Sequence, residues 1–269
     1  MTNVLVPVLT MTILGLVFSL GLVLAYKKLV VEVDPRVEKI NESLPQANCG
    51  ACGYAGCRAF AEAIVAGKAA PERCPVGGAE TVDRISSILG VKTGEVIKRV
   101  ARLHCRGTNE AAPRRAEYLG LKTCYASHLM GGDKLCTYGC LGLSDCVRSC
   151  VFNAMYMGQD GLPVIIEENC TGCGKCVEAC PRNLLELHPV SQNILVFCRS
   201  EDRGAVARKS CKNACIACGI CSRACPDAIV IENNLAVITD HRKIPPEKIP
   251  EIEKCPTLAI GRLKKDNEG

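Results

Sequence analysis

The sequence has 269 residues and a formal net charge of +5, from 33 Lys and Arg against 28 Asp and Glu. It contains no Trp and four Phe, too few aromatic residues for an ordinary large core, but 21 Cys, several times the usual share. The modest charge, without basic residues interleaved with aromatic ones, excludes the common nucleic-acid-binding modules. Groups bound by cysteine are therefore expected to organise much of the fold.

The first predicted element is a transmembrane helix at residues 4–26, which contain no charged residue. At about 1.5 Å per residue this run crosses a hydrocarbon layer ~30 Å thick. A cleaved signal peptide is the alternative, but no basic segment precedes the run and no small-residue cleavage motif follows it. Lys27 and Lys28 follow directly, so the positive-inside rule predicts a single-pass protein of the inner (cytoplasmic) membrane with its C-terminal domains in the cytoplasm. Without ionisable residues, the helix is an anchor and not an ion path.

The cysteine spacing favours iron–sulfur clusters over disulfides or zinc. An odd number of cysteines cannot pair fully within one chain, and disulfides need an oxidising compartment. Zinc ribbons use two separate CxxC pairs, whereas this chain contains CxxCxxC twice, beginning at Cys170 and Cys215, each followed by xxxCP. Three thiolates at this spacing suit one cluster better than one tetrahedral ion.

The first cysteine group has the pattern CxxCxxxxCx16CP, and an apolar helical pattern follows it as far as Gly67. Its four candidate ligands are Cys49, Cys52, Cys57 and Cys74. Four thiolates suit one [4Fe–4S] cluster, and a closed structural zinc site is the alternative.

Two runs in the middle of the chain predict a two-cluster ferredoxin-like unit, with residues 155–167 supplying strand and turn between them. In bacterial ferredoxins of this type the fourth Cys of each run ligates the cluster of the other run. The predicted sets are Cys136, Cys140, Cys146 and Cys180, and Cys150, Cys170, Cys173 and Cys176. The first run is stretched, and Val151 stands where a proline usually follows the fourth Cys.

A third region repeats the pattern at Cys215, Cys218, Cys221 and Cys225, followed by a predicted hairpin about Asn233 and Asn234. Its partner run is missing, and only a CP at Cys255 remains. The crossing rule makes Cys255 the fourth ligand and leaves Cys225 without a cluster. A self-contained set that ends in Cys225 is the alternative.

Five cysteines remain outside these sets: Cys105, Cys124, Cys198, Cys211 and Cys225. The segments LHCRG and VFCRS, around Cys105 and Cys198, are alike, and each is followed by another cysteine close to a ferredoxin-like run. The first four either converge on a further metal site or are reduced buried thiols. The four histidines lie outside the cysteine runs, and a ligand role for His104, beside Cys105, is a further alternative.

These elements predict an α+β fold with a single N-terminal transmembrane helix, a small mostly helical [4Fe–4S] domain and tandem bacterial-ferredoxin-like domains. The predicted parts are an anchor (1–26), a linker (27–45), the cluster domain (46–104), a two-cluster ferredoxin-like domain (105–195) and a second ferredoxin-like domain with a degenerate final repeat (196–269). About four [4Fe–4S] clusters are expected, or five if the extra thiols bind metal.

Fully thiolate-ligated clusters favour electron transfer, and no catalytic residue is predicted. No GxGxxG or Walker loop appears, so flavin or NAD sites would belong to partners. Eight basic residues precede or enter the ferredoxin-like unit: Lys98, Arg99, Arg102, Arg106, Arg114, Arg115, Lys122 and Lys134. They either steer an acidic electron carrier or form a solvated face or a contact with anionic lipid.

The uncharged anchor, NCGACGYAGC with its later CP, CTYGCLGLSDC and the ferredoxin repeats together resemble the B subunit of the Rnf-type ion-translocating ferredoxin:NAD oxidoreductase, over nearly the whole chain. The resemblance implies an enzyme subunit that takes electrons from reduced ferredoxin and passes them toward flavin- and NAD-binding subunits, coupled to Na⁺ or H⁺ movement. It implies polytopic membrane partners, a membrane-proximal cluster that delivers electrons to them, and an isolated chain that is an electron carrier. The alternatives are a membrane-anchored redox sensor or iron–sulfur carrier, or an oxidoreductase with its own catalytic site.

Overall fold

The computed structural model of the chain describes residues 2–29, 34–91, 94 and 96–263. Within these residues, mostly short helices alternate with four two-stranded antiparallel sheets, which is the α+β class expected. The helices are α1 (Thr2–Leu29), α2 (Pro35–Ser43), α3 (Cys57–Val65), α4 (Gly78–Leu89), α5 (Cys124–Leu129), α6 (Asp145–Arg148), α7 (Lys175–Glu178), α8 (Gly204–Ser210), α9 (Ile220–Ala224) and α10 (Ile249–Ile252). The strands are β1 (Arg99–Leu103), β2 (Met155–Met157), β3 (Pro163–Ile165), β4 (Leu185–Pro189), β5 (Ile194–Val196), β6 (Ile229–Glu232), β7 (Leu235–Ile238) and β8 (Ile260–Arg262).

Helix α1 is a candidate membrane span. The stretch Leu5–Leu29 has 25 residues and a mean hydropathy of 2.4, and none of it is buried within the protein. The hydroxyl groups of Thr10, Thr12 and Ser19 hydrogen-bond to carbonyls one turn earlier, so they present no free donor to lipid. The helix extends past the predicted end at residue 26 and carries Lys27 and Lys28 in its last turn.

Helix α2 lies within the predicted linker. The Asp34 carboxylate accepts the backbone N–H of Arg36 at 2.9 Å and caps the helix. Val37, Ile40 and Leu44 are buried against α3 and α4. The linker predicted at 27–45 therefore does not extend over these residues, because their apolar side chains recur at helical spacing and join the core of the first domain.

Two units of the same design follow the first domain. In the first unit β1 pairs with β4, and the β2–β3 hairpin lies between these two strands in the sequence. In the second unit β5 pairs with β8, and the β6–β7 hairpin lies between them in the sequence. The cysteine runs lie between these strands, with Cys146 on α6, Cys176 on α7 and Cys221 on α9. The tandem ferredoxin-like arrangement is confirmed, but β1 belongs to the first unit and not to the preceding domain. The predicted division between residues 195 and 196 passes through β5.

The turn between β6 and β7 is the predicted hairpin. Asn233 and Asn234 have φ angles of 46° and 61°, and the flanking Glu232 and Leu235 are paired across the strands. Positive φ at both central residues is the type I′ geometry, which asparagine adopts more easily than most residues. The structure confirms the hairpin at the position that the sequence predicted.

A long connection, residues 104–141, leads from β1 toward α6 within the first unit and packs against the second unit. Ala111 and Ala112 are buried in the core of the second unit with residues such as Ile229. Cys105 packs instead with Leu162 and Leu184, near the first unit. The connection therefore fills the space between the units and brings its own cysteines there.

Candidate metal centres

Four cavities are each lined by four cysteines. We name each site by its first cysteine: the Cys49 site (Cys49, Cys52, Cys57, Cys74), the Cys105 site (Cys105, Cys136, Cys198, Cys211), the Cys124 site (Cys124, Cys140, Cys146, Cys180) and the Cys150 site (Cys150, Cys170, Cys173, Cys176). Four thiols around one cavity are the donor set of a [4Fe–4S] cluster, so the four cysteines of each site fit this cofactor.

A fifth set, the Cys215 site, consists of Cys215, Cys218, Cys221 and Cys255. Burial raises the pKa of Cys221 to about 11, and the charges of its three companions add to the effect. Burial alone would raise the pKa of Cys255, but hydrogen bonds from the backbone around Thr257 lower it. The net effect favours the thiolate of Cys255. The structure thus brings together the four cysteines that the crossing rule grouped.

The Cys49 site is built locally around Asn48. Its Oδ1 accepts the backbone N–H of Cys57 at 2.9 Å, which fixes the start of α3. A Cβ atom on Gly56 would lie 2.9 Å from the same Oδ1, so this close approach requires glycine. The NCGACGYAGC motif therefore folds back on itself and presents its thiols together, and Cys74 completes the set from the turn after Pro71–Arg73.

The Cys150 and Cys124 sites exchange their fourth cysteines. Cys150, which follows α6, lines the site of the α7 run, whereas Cys180, which follows α7, lines the site of Cys146 on α6. Each of these two sulfurs accepts a backbone N–H at 3.4 Å from the residue four positions later, Ala154 or Leu184. The sequence predicted this exchange, and the matched N–H donors show that the two halves are built alike.

At one position the structure differs from the grouping that the sequence predicted. Cys124, and not Cys136, lines the site of Cys140 and Cys146. Cys124 begins α5, and the Asp145 carboxylate accepts the N–H of Tyr125 at 3.0 Å, which fixes α5 against α6. The grouping failed because the spacing of CTYGCLGLSDC resembles a single ferredoxin run, although its first cysteine belongs to another site.

The Cys105 site has two equivalent halves. The Cys105 sulfur accepts the N–H groups of Gly107 at 3.3 Å and Cys140 at 3.4 Å. The Cys198 sulfur accepts those of Ser200 at 3.4 Å and Cys215 at 3.3 Å. The likeness of LHCRG and VFCRS therefore has a structural basis. Of the four extra cysteines for which a shared metal site was one of two alternatives, Cys105, Cys198 and Cys211 lie together, and the fourth cysteine of the site is Cys136 instead of Cys124.

Burial and crowding oppose ionisation of the bare thiols. Burial raises the pKa of Cys140 and Cys146 to about 12 and that of Cys198 to about 11, and nearby cysteine charges add to each shift. Grouped thiolates in a low-dielectric interior need a positive partner. The sites are therefore suited to bind iron and poorly suited to remain as free thiolates.

Cys225 lies apart from the five sites. It is 5% exposed, and after burial the strongest effects on its pKa come from Lys248 and Glu251. Its place in the Cys215 site is taken by Cys255. The self-contained set that ends in Cys225 is not the arrangement that the structure has.

Three of the eight basic residues noted in the sequence do not contribute to an exposed basic surface, because they are buried or packed against other side chains. Arg102 and Lys134 are buried, and Arg102 pairs with Glu167. The Arg106 guanidinium lies 3.6 Å from the ring centroid of Phe197. The exposed members are Lys98, Arg99, Arg114, Arg115 and Lys122.

Comparison with known proteins finds similar chains in bacteria and archaea. The B subunit of the Na(+)-translocating ferredoxin:NAD(+) oxidoreductase complex of Acetobacterium woodii is 46% identical over 96% of this chain and 77% of the relative. The B subunit of the proton-translocating ferredoxin:NAD(+) oxidoreductase complex of Clostridium ljungdahlii is 43% identical over 97% of this chain and 93% of the relative. The chain belongs to this family of B subunits. A third member, the B subunit of an ion-translocating oxidoreductase complex from Methanosarcina acetivorans, is 39% identical over 85% of this chain and 88% of its own length.

Two family models match parts of this chain that contain cysteine runs. The family described as "Putative Fe-S cluster" matches residues 44–76, which contain the whole Cys49 site. The family described as "4Fe-4S binding domain" matches residues 163–186, which contain the α7 run. Iron–sulfur clusters are therefore the cofactors of this protein, and its role in the oxidoreductase complex is electron transfer.

Proposed function

We propose that this protein relays electrons from reduced ferredoxin, through five [4Fe–4S] clusters, toward flavin- and NAD-binding partner subunits. The complex couples this transfer to Na⁺ or H⁺ movement. The observation that carries the proposal is the division of twenty cysteines into five sets of four. When bound, a [4Fe–4S] cluster accepts and releases one electron. Two relatives are named for ferredoxin and NAD(+), which supports the two ends of the path.

Four of the sites form a continuous series. Cys176 of the Cys150 site is close enough to Cys146 for its charge to raise the pKa of that thiol beyond the effect of burial. The Cys140 N–H of the Cys124 site donates to the sulfur of Cys105, and the Cys215 N–H donates to the sulfur of Cys198. The series therefore runs through the Cys150, Cys124, Cys105 and Cys215 sites, and the Cys105 site joins the two ferredoxin-like units.

The anchor indicates which of the five sites lies nearest to the membrane. Lys27 and Lys28 at the end of α1 favour the cytoplasm for everything that follows in the chain, in the inner membrane. The Cys49 site is the one nearest to α1 in the sequence. It is therefore the site that we place beside the polytopic membrane subunits, where electrons leave this chain.

Iron and acid-labile sulfide per chain test this assignment on the full-length protein purified without oxygen. Five clusters give about 20 iron atoms per chain, and Cys225→Ala, which alters a cysteine outside the sites, should leave the count unchanged. A count of about 16 would contradict a cluster at the Cys105 site. Little iron with stoichiometric zinc, or intact transfer of clusters to an apo-acceptor, would contradict the electron relay.

An exposed surface beside the Cys124 site has the composition that an acidic electron carrier recognises. It combines Leu119, Leu121, Tyr125 and Met130, each at least 64% exposed, with the basic side chain of Lys122. Exposed apolar groups next to positive charge provide contact area and electrostatic attraction together. We place the docking of ferredoxin on this surface, one residue from Cys124.

Lys122→Glu is expected to slow bimolecular electron transfer from reduced ferredoxin to this protein several-fold at low salt, because it reverses a charge that attracts the acidic partner. The difference should shrink as ionic strength rises. Stopped-flow absorbance with ferredoxin in excess measures the rate. Lys209→Glu on α8, an equal change of charge at another exposed lysine, is the control, and equal rates for the two variants would contradict the docking surface.

A further inference from the structure

Two histidines and a glutamate form a cluster beside the Cys105 site, whose cavity His104 also lines. His104 follows β1 directly, and Glu186 and His188 occupy alternate positions on β4, so the two β4 side chains share one face. The Nε2 atoms of His104 and His188 are 2.9 Å apart. Oε2 of Glu186 lies 3.3 Å from each of them. Three potential ligand atoms therefore converge on one point.

The other ring nitrogens fix the tautomers of both imidazoles. Nδ1 of His104 lies 2.7 Å from the carbonyl oxygen of Val196, which can only accept, so this Nδ1 carries a hydrogen. Nδ1 of His188 lies 3.0 Å from Oε1 of Gln192. The Gln192 amide nitrogen donates to the carbonyl of Ile194 at 3.2 Å, which turns its oxygen toward the histidine. In the neutral rings both Nε2 atoms therefore carry lone pairs.

The group that faces these lone pairs is also an acceptor. Oε2 of Glu186, a carboxylate oxygen that can only accept, lies 3.3 Å from each Nε2. Arg199 binds the other carboxylate oxygen, Oε1, and leaves Oε2 toward the imidazoles. Two lone pairs and a carboxylate oxygen repel one another unless a cation lies between them.

We propose that His104, His188 and Glu186 bind a divalent transition-metal ion of the Zn²⁺ type, at a site separate from the iron–sulfur clusters. Bonds of about 2.0–2.1 Å in tetrahedral geometry place ligand atoms roughly 3.3 Å apart, which the two Nε2–Oε2 distances match. The imidazoles need to separate by only a few tenths of an ångström. Both already donate their second N–H to a carbonyl oxygen, as metal-bound histidines do.

Burial gives the site one open side. The side chains of His104 and His188 are 8% and 17% exposed, whereas that of Glu186 is 44% exposed. Three protein ligands with a position open to water is the coordination of zinc sites that are not purely structural. The ion ties β1 to β4, and the bond from His104 to Val196 extends this tie to β5 of the second unit. None of this depends on the proposed electron relay.

Zinc retention by the full-length, cluster-loaded protein tests the site. One equivalent of Zn²⁺ is added without oxygen, loosely bound ions are removed by gel filtration, and zinc and iron are measured per chain. Wild type should retain one zinc, and X-ray absorption at the zinc edge should show nitrogen and oxygen neighbours. Glu186→Gln and His188→Gln should each retain at least tenfold less zinc with unchanged iron. His128→Gln, at an exposed histidine on α5, should behave as wild type.

Two results would overturn the proposal. Equal zinc in wild type and His188→Gln would mean that a proton, and not a metal ion, lies between the imidazoles. Sulfur neighbours at the zinc edge would mean that zinc occupies incompletely loaded cysteine sites. If one variant loses iron, its fold is altered, and the comparison then rests on the other variant and on the neighbours of zinc in wild type.

Discussion

Replacing Cys198 by alanine is expected to interrupt electron transfer between the two ferredoxin-like units. Cys198 is buried, lines the Cys105 site and accepts N–H groups from both Ser200 and Cys215. Without this ligand the site that joins the Cys124 and Cys215 sites is lost. Electron tunnelling falls exponentially with distance, so the sites on either side should exchange electrons slower by orders of magnitude.

Rapid-freeze EPR after mixing with reduced ferredoxin measures this effect. In wild type all the cluster signals should develop together, whereas in Cys198→Ala those on one side of the gap should lag far behind. The variant should also lose about four iron atoms per chain. Cys211→Ala, which removes a ligand from a different segment, should reproduce the result, and Cys225→Ala should not. Undiminished transfer in both site variants would show that the Cys105 site is not part of the path.

Replacing Lys134 by methionine is expected to lower the reduction potentials of two neighbouring sites. Lys134 is 1% exposed, and its Nζ donates to the carbonyl of Gly107 at 2.9 Å. Within the residues that the structure describes it has no carboxylate partner, although a buried charge needs a counter-charge. Its charge counteracts the effect of burial on the pKa of Cys140 and of Cys211, so it acts on the Cys124 and Cys105 sites together.

A positive charge stabilises the reduced, more negative state of a cluster, so its removal disfavours reduction. Two unit charges ~10 Å apart at an effective dielectric constant of about 20 interact by roughly 1.7 kcal/mol, which is about 70 mV for a one-electron couple. EPR-monitored redox titration of Lys134→Met should show shifts of this order to lower potential. Lys134→Arg keeps the charge and should stay near wild type.

Lys209→Met provides the matched control, because it removes an exposed charge that water already screens. Its potentials should equal those of wild type. If Lys134→Met retains its iron and shifts no potential by more than the control does, the buried ammonium group does not tune the clusters.

The sequence predicts the parts of this fold that depend on short-range pattern. Asn48 and Gly56 lie inside the motif that they shape, and the two asparagines at 233–234 specify their own turn. The exchange of Cys150 and Cys180 is also predictable, because in both runs the fourth cysteine follows the third by four residues, after a short helix.

The Cys105 site could not be predicted from short-range sequence pattern. Its ligands come from the ends of two strands, β1 and β5, from an irregular connection and from the end of α8, and no fixed spacing relates them. The exchange of Cys124 with Cys136 depends on Asp145 fixing α5 against α6, a contact across twenty residues. The one sequence signal was the likeness of LHCRG and VFCRS. The contact between His104 and His188 could not be predicted from the sequence either, because β4 brings His188 to His104 from 84 positions away.

The distance along the chain between the cysteines of each site sets an order of assembly. The Cys49 site needs only residues 49–74, so its thiols can come together while most of the polypeptide is still being synthesised. The Cys105 site needs residues 105–211, and β5, just before Cys198, finds its partner only when β8 at residues 260–262 has emerged. Domains fold in order from the N-terminus during synthesis. The Cys105 and Cys215 sites are therefore the last to close, since the second of them also needs Cys255. A chain released before β8 would reach the membrane with its first centre formed and its path incomplete.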